Sequence, residues 1–374
     1  MTPGFAFHVL CTDGKARRSV LRTPHGDVEL PTFMPVGTQG SVKALSPDEV
    51  ATTGARIVLG NTYHLWLRPG DDVVAAHGGL HAFSRWPHAM LTDSGGYQAF
   101  SLNARAPTMV APSEDGFRFT SHLDGSRRFL SPEIAVEVQG RLGADIQMQL
   151  DVCPPGDSPR EVVEAAIKQT TRWARRALAT PRPPAQALFG IVQGACFPDL
   201  RKMHADELGA MPFDGLALGG FSVGEPKEKM LATLEDVAST LDAARPRYLM
   251  GVGTPEDLIT CVGLGIDMFD CVLPTRNARN GQALTRHGKI VIKNSKHARD
   301  ESPIDPACTC ECCARGYSRA YLRHLYLAGE ILVLRLLSLH NLHFYGELMA
   351  GARRAIEAKR FAEFSRAALA DYGP

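Results

Sequence analysis

The chain has 374 residues, with 41 Lys and Arg against 40 Asp and Glu, 44% hydrophobic and 22% charged residues. That is the profile of an ordinary globular protein, not of a disordered, fibrous or uniformly basic one. Residues Met1 to Leu10 lack a basic segment followed by an apolar stretch and a small-residue cleavage site, so no secretory signal is expected. The most apolar window, Leu325 to Leu342, is interrupted by Glu330, Arg335 and His340. It is expected as a buried helix, not a bilayer span, which excludes a membrane role and favours a cytoplasmic location.

In chain order, Thr12-Asp13-Gly14-Lys15 and Thr23-Pro24-His25-Gly26-Asp27 are turn-like and flank alternating residues, which predicts an antiparallel hairpin capping one end of the fold. Strand-length apolar runs follow at Pro31 to Gly37, Arg56 to Asn61, Ala89 to Ser94, Asp145 to Asp151, Ala187 to Gly194, Gly215 to Gly220, Arg247 to Gly253 and Asp267 to Leu273. Between them, Ser46-Pro47-Asp48-Glu49 and Ser131-Pro132-Glu133 place an N-cap before a proline at the first helical position, and Arg160 to Leu178 repeats apolar residues at helical spacing. Strands alternating with helices predict an α/β fold, a parallel (β/α)8 TIM barrel. An open doubly wound sheet is the alternative, but the chain has no Gly-x-Gly-x-x-Gly at a first strand-to-helix turn. From Ser318 to Tyr372 the tail reads as helical. The whole chain, residues 1–374, is expected as one catalytic domain containing a basic, zinc-binding subdomain over 285–345 near its C-terminus.

In a barrel, reactive groups sit at the C-terminal ends of the strands. Asp93, Asp151, Gln193 and Asp270 each follow a strand-like run, so three carboxylates and one amide should converge on one mouth. Like charges a few ångströms apart raise one another's pKa, so such a set can hold one carboxylate ionised as nucleophile and another protonated as acid. That combination suits covalent exchange of one base for another on a ribose. Gly95-Gly96, Gly219-Gly220, Gly251 and Gly253 would let backbone groups approach a flat ligand, with Tyr97 and Met250 as its two stacking faces.

Cations are concentrated beyond Asp270. From Arg276 to Arg299 the chain carries Arg279, Arg286, Lys289, Lys293 and Lys296, with no Asp or Glu, although the net charge is only +1. A neutral protein with one basic segment is built to grip a polyanion locally. Of nine cysteines, five are scattered (Cys11, Cys153, Cys196, Cys261, Cys271) and four crowd into Cys308-Thr-Cys310-Glu-Cys312-Cys313. This is metal spacing, and the fourth ligand could be His324, His340, His343 or Cys312. Four protein ligands would close the ion to substrate, leaving it structural.

Leu91-Thr-Asp-Ser-Gly-Gly-Tyr-Gln98, Gly190-Ile-Val-Gln-Gly194, Met268-Phe-Asp-Cys-Val-Leu-Pro-Thr-Arg-Asn-Ala-Arg-Asn-Gly281, Ser318-Arg-Ala-Tyr-Leu322 and His340-Asn341 together resemble the bacterial tRNA-guanine transglycosylases, over nearly the whole chain. The resemblance implies exchange of the wobble guanine of tRNAs with a G-U-N anticodon for free 7-aminomethyl-7-deazaguanine, in queuosine biosynthesis, by a homodimer. It implies Asp270 as nucleophile and Asp93 as general acid/base. The base site would comprise Asp93, Ser94, Gly95, Gly96, Tyr97, Asp151, Cys153, Gln193, Gly219, Gly220, Met250 and Gly251. RNA would meet Gly251, Val252, Gly253, Thr254, Pro255, Glu256, Asp257, Thr275, Arg276, Asn277, Ala278 and Arg279. Cys308, Cys310, Cys313 and His340 match the family's ligands for one structural Zn2+.

The chain departs from the family pattern at three places. Asp151-Val152-Cys153 replaces Asp-Glu-Cys, which removes a partner for an ammonium group on the incoming base. Gly219-Gly220-Phe221 replaces Gly-Gly-Leu, which is expected to alter pocket volume. One extra residue between Cys313 and Ser318 makes Cys312 a competitor for Cys313 as ligand.

Overall fold

A computed structural model describes residues 2–101 and 113–371. Eight parallel strands close into a barrel. They are β1 (Thr32–Met34, continued by Val36–Gly37), β2 (Ile57–Gly60), β3 (Ala89–Thr92), β4 (Ile146–Met148), β5 (Ala187–Val192), β6 (Gly215–Leu218), β7 (Arg247–Leu249) and β8 (Met268–Asp270). The first strand divides at Pro35, which has no N–H to give the ladder. Its carbonyl still accepts from Leu59, so one half pairs with β8 (Phe269 beside Phe33) and the other with β2 (Val36 beside Leu59). Each strand coincides with one of the predicted runs.

Inward positions at spacing two build the barrel interior: Met34, Ile57, Leu59, Ala89, Leu91, Ile146, Met148, Phe189, Ile191, Ala217, Tyr248 and Met268 form one buried cluster. The helices cover the outside. Ser46 closes a capping box with Glu49 on helix Pro47–Thr52, and Ser131 caps Pro132–Leu142. The amphipathic stretch after Pro159 forms helix Arg160–Ala179 and buries Trp173.

The N-terminal segment is larger than the predicted hairpin. Ala6–Asp13, Ala16–Thr23 and Gly26–Leu30 make a three-stranded antiparallel sheet, because both turns reverse the chain and the residues after the second one pair as well. Its Phe5, Leu21, Val28 and Leu30 enter the interior cluster, with Phe5 edge-on to Phe189 at 5.9 Å. Two polar ties fix it to the strand beginnings. Arg17 forms a buried ion pair with Asp267, just before β8. His25 lies 2.7 Å from Asp145, just before β4, and stacks on His81 with ring centroids 3.5 Å apart. The sheet therefore plugs the N-terminal end and leaves the C-terminal end for chemistry.

The apolar window 325–342 is not one buried helix. Gly329, at φ +74°, ends helix Arg319–Ala328, and a second helix, Ile331–Glu357, begins two residues later, leaving Leu327 and Ile331 exposed at the corner. A left-handed residue at a helix end is the usual place for Gly. The long second helix belongs to two cores. Val333, Leu336 and Leu337 pack with Ala278, Ala283, Ile292, Ile304, Cys310, Cys312, Cys313, Leu322 and Leu325. Leu339, Leu342, Tyr345, Met349, Ala352 and Ile356 pack in the main cluster around the barrel. The tail is helical through Asp371, and Tyr372 lies outside the described residues. Among the described residues, no helix is long and apolar enough to cross a membrane.

Candidate active site

The polar strand ends meet at the C-terminal mouth. After β3, the Asp93 carboxylate accepts from the Thr62 N–H (2.9 Å), the Gly95 N–H (3.2 Å) and the Asn61 side-chain amide. Asn61 ends the β2 run and also caps helix Thr62–Leu67, accepting from the His64 N–H, so one side chain fixes both the helix start and Asp93. Burial pushes the Asp93 carboxyl up to about 7; the Asp270 charge adds to this, and the three donors oppose it. A group near neutrality can give and take a proton under the same conditions.

At the end of β8, Asp270 accepts through Oδ1 from the Tyr248 hydroxyl (2.6 Å) and the Gly251 N–H (2.8 Å). Burial raises its pKa, while these two donors favour the carboxylate. Two carboxylates that sense one another do not ionise equally. Both carboxyls are raised by burial, and the two donors on Asp270 favour its ionised form.

Asp151, after β4, is buried, and burial raises its carboxyl to about 6 against a 2.6 Å hydrogen bond from the Gln193 side-chain amide. Beside it, the half-buried Cys153 thiol is pushed up to about 12 by burial and the Asp151 charge, which keeps it protonated and unreactive. Gln193 Oε1 is buried without a hydrogen-bond partner. Gly219 and Gly220 lie against this amide: a Cβ on Gly220, at φ +68°, would sit 2.3 Å from Oε1, and one on Gly219 2.7 Å from Nε2. A Cβ on Gly96 would sit 2.7 Å from Leu150, and Gly95 has φ +76°. Ser94 is buried and accepts from the Gly96 N–H at 3.3 Å. Tyr97 is exposed on the short helix Gly96–Ser101, and Met250 is half-buried against the barrel interior.

Arg201 and Tyr248 escaped the sequence reading. Arg201, on helix Pro198–Gly209, is fully buried and gives hydrogen bonds to the carbonyls of Ala195 (2.6 Å), Val192 (3.3 Å), Gly219 (2.9 Å) and Gly220 (3.3 Å). It ties the loop after β5 to the loop after β6. Burial lowers its pKa to about 9, still charged at neutrality. Its guanidinium lies 3.6 Å above the Phe221 ring. Phe221 is buried and cushions the Arg201 guanidinium. Val152 likewise packs against the cluster of Phe117, Phe119 and Trp173. Tyr248 could have been found by parity, since it stands two residues before Met250 and so faces inward.

The segment Gly251–Asp257 leads from β7 into helix Pro255–Gly263, which is capped by Thr254. Gly251 is exposed and Thr254 and Glu256 are half-buried, whereas Val252, Gly253, Pro255 and Asp257 are buried. Helix Leu273–Arg279 exposes Arg276 and partly exposes Asn277 and Arg279, while Thr275 and Ala278 are buried.

Cys308, Cys310, Cys313 and His340 bring one ligand atom each within 4.8 Å of one another. His340 Nδ1 lies 3.7, 3.4 and 3.4 Å from the sulfurs of Cys308, Cys310 and Cys313. A tetrahedral ion with ordinary thiolate and imidazole bond lengths gives an N···S edge of about 3.5 Å, so the set fits a metal ion. The other ring nitrogen of His340 is 2.8 Å from the Leu284 carbonyl, the outer contact that fixes the ligating tautomer. Cys312 is buried but is not in the set, and neither are His324 and His343.

These features define a (β/α)8-barrel enzyme with paired carboxylates at the C-terminal mouth and a Cys3His metal-binding cluster in its C-terminal region. The family model described as queuine tRNA-ribosyltransferase matches residues 11–374. The chain is 69% identical over 368 residues to a queuine tRNA-ribosyltransferase of Sorangium cellulosum, covering 98% of this chain and 92% of that protein. It is 53% identical to one of Nitratidesulfovibrio vulgaris (99% and 98% covered) and 50% identical to one of Geobacillus kaustophilus (100% and 98% covered). The chain belongs to the queuine tRNA-ribosyltransferase family and is a pentosyltransferase.

Proposed function

We propose that this enzyme exchanges the wobble guanine of tRNAs with a G-U-N anticodon for free 7-aminomethyl-7-deazaguanine through a covalent aspartyl-ribose intermediate. The observation that carries the reading is the pairing of Asp93, drawn to about 7, with a donor-supported Asp270 at the same barrel mouth. An Asp270 oxygen bonds to the ribose C1′ as the C1′–N9 bond breaks, and the leaving guanine takes the Asp93 proton on N9. The incoming base then gives its N9 proton to Asp93, bonds to C1′ and displaces Asp270. Two displacements restore the original configuration.

Asp151, Gln193, Cys153, Ser94, Gly95, Gly96, Gly219, Gly220 and Gly251 surround the base, with Tyr97 and Met250 on its faces. The target base leaves the anticodon loop to reach them, as bases do in enzymes acting on one nucleotide. Arg276, Asn277 and Arg279, with Gly251, Thr254 and Glu256, face the RNA, and the buried Val252, Gly253, Pro255, Asp257, Thr275 and Ala278 hold those two segments in shape. Cys308, Cys310, Cys313 and His340 hold one Zn2+, which stabilises residues 285–345 within a single domain spanning the chain. The protein is read as a homodimer, and a tRNA substrate places it in the cytoplasm.

The test is incorporation of labelled guanine into G-U-N tRNA, in competition with the aminomethyl base and queuine. Asp270→Ala should abolish a denaturation-resistant protein–RNA adduct. An adduct that survives this change overturns the nucleophile. A protein that binds anticodon stem-loops but exchanges no base is a binding subunit instead.

A further inference from the structure

The segments on both sides of Asp270 are held from one face of helix Ile331–Glu357. Tyr345, buried, gives its hydroxyl hydrogen bond to the Gly253 carbonyl. Gly253 belongs to the segment after β7 whose Gly251 N–H supports Asp270, and its backbone lies against Cys271: a Cβ there would sit 2.3 Å from Cys271 Cβ. One turn earlier on the helix, Asn341 is fully buried and uses its hydrogen-bonding groups on the other side. Its Nδ2 donates to the carbonyls of Pro274 (2.9 Å) and Gln282 (3.0 Å), and its Oδ1 accepts from the Leu284 N–H (2.8 Å). Pro274 opens the helix that carries Arg276 and Arg279, three residues after the nucleophile's neighbour Cys271. Tyr345 also packs on Phe33 of β1, ring centroids 4.6 Å apart, and Phe33 pairs in register with Phe269 of β8.

We infer that Tyr345 and Asn341 are positioning residues for the Asp270 carboxylate, acting through the Gly253 carbonyl and the start of helix Leu273–Arg279. The inference rests on the reading of Asp270 as nucleophile. A carboxylate that must line up with a C1′–N9 bond tolerates little displacement, and a shift of about 1 Å can cost up to about a hundredfold in rate. The two side chains touch neither base nor RNA in this arrangement. They fix the backbone that carries Gly251 N–H on one side and the first turn after Cys271 on the other. His340, the residue before Asn341, is a ligand of the metal-binding set, so the same turn of helix anchors at the cluster and at the nucleophile's flank.

The experiment uses the full chain with its metal bound. Tyr345→Phe removes one hydroxyl, and Asn341→Asp removes the two donors while keeping an acceptor for Leu284. Adduct formation in a single turnover should slow about tenfold or more in each, with KM for tRNA within about twofold and the metal-to-protein ratio unchanged. A wild-type adduct rate, a loss confined to KM, or a loss explained by missing metal overturns the inference. Should either variant fail to fold, Gly253→Ala, which pushes the same segment from the Cys271 side, must give the same rate-specific loss. Combined with Tyr345→Phe it should cost no more than the worse single change, and additive losses count against a shared route. Asp270→Ala run alongside separates the two ideas: adduct formation without Asp270 removes the nucleophile reading, whatever the other variants do.

Discussion

Gln193 gives its side-chain amide to Asp151 across 2.6 Å and keeps a buried carbonyl oxygen, Oε1, with no donor among the described residues. An unpaired buried acceptor costs free energy of about 1–3 kcal/mol, which a ligand that supplies the donor recovers. Gly220 keeps the space in front of that oxygen clear.

Gly220→Ala should close it. The new Cβ would sit 2.3 Å from Oε1, on a backbone at φ +68° that alanine adopts with strain. Expected is a rise of at least about tenfold in KM for guanine with the tRNA affinity little changed, accompanied by a lower melting temperature from the strained alanine. Steady-state exchange with varied guanine measures it, and an unchanged KM for guanine would remove this oxygen from base recognition.

The two half-reactions should respond oppositely to pH near neutrality. On the proposed mechanism Asp93, raised to about 7, is protonated when guanine leaves, so single-turnover adduct formation should fall as pH rises through about 7. Asp151, raised to about 6, is ionised above that value, so binding through the carboxylate should weaken as pH falls through about 6. Breakdown of the adduct by added base needs the ionised form of Asp93 and should accelerate as pH rises, with a midpoint below that of adduct formation because the esterified Asp270 no longer adds its charge. The same slope in both half-reactions would show that Asp93 is not the shared proton carrier.

The sequence exposed the barrel because each strand is a short apolar run that ends where a polar side chain turns inward; Asp93, Asp151, Gln193 and Asp270 were visible for that reason. Asn61 obeys the same rule and could have been added. Arg201 was hidden because an arginine on an amphipathic helix looks like a solvated one, and its burial follows from four carbonyls contributed by two loops that only the fold brings together. Tyr345 was hidden for a similar reason, its partner Gly253 being 92 residues away. The contact of Phe221 with Arg201 was hidden with it, since the two stand 20 residues apart, Arg201 on its helix and Phe221 in the loop after β6.

Removing the metal should loosen the C-terminal region. Cys310 and Cys313 pack in the same apolar cluster as Leu322, Leu325 and Leu336, so chelation should lower the melting temperature. Cys313→Ala should lose bound metal, whereas Cys312→Ala should retain it and cost only about 1 kcal/mol for a small buried group. Elemental analysis of the purified variants decides between them. Loss of metal in Cys312→Ala, with retention in Cys313→Ala, would reverse the ligand assignment.

Arg276 is exposed on the helix that follows Asp270, while Arg279 is half-buried, its pKa lowered by burial and by the Arg276 charge. If Arg276 meets a phosphate of the anticodon loop, Arg276→Ala should weaken tRNA binding equally for all G-U-N tRNAs, since a phosphate contact carries no sequence information. It should also reduce the slope of log affinity against log salt by about 0.7, the value for one phosphate on a single strand. Binding measured across a salt series, with an anticodon stem-loop as ligand, gives both quantities. Weaker affinity with an unchanged salt slope would mean that the side chain shapes the helix without reaching the backbone of the RNA.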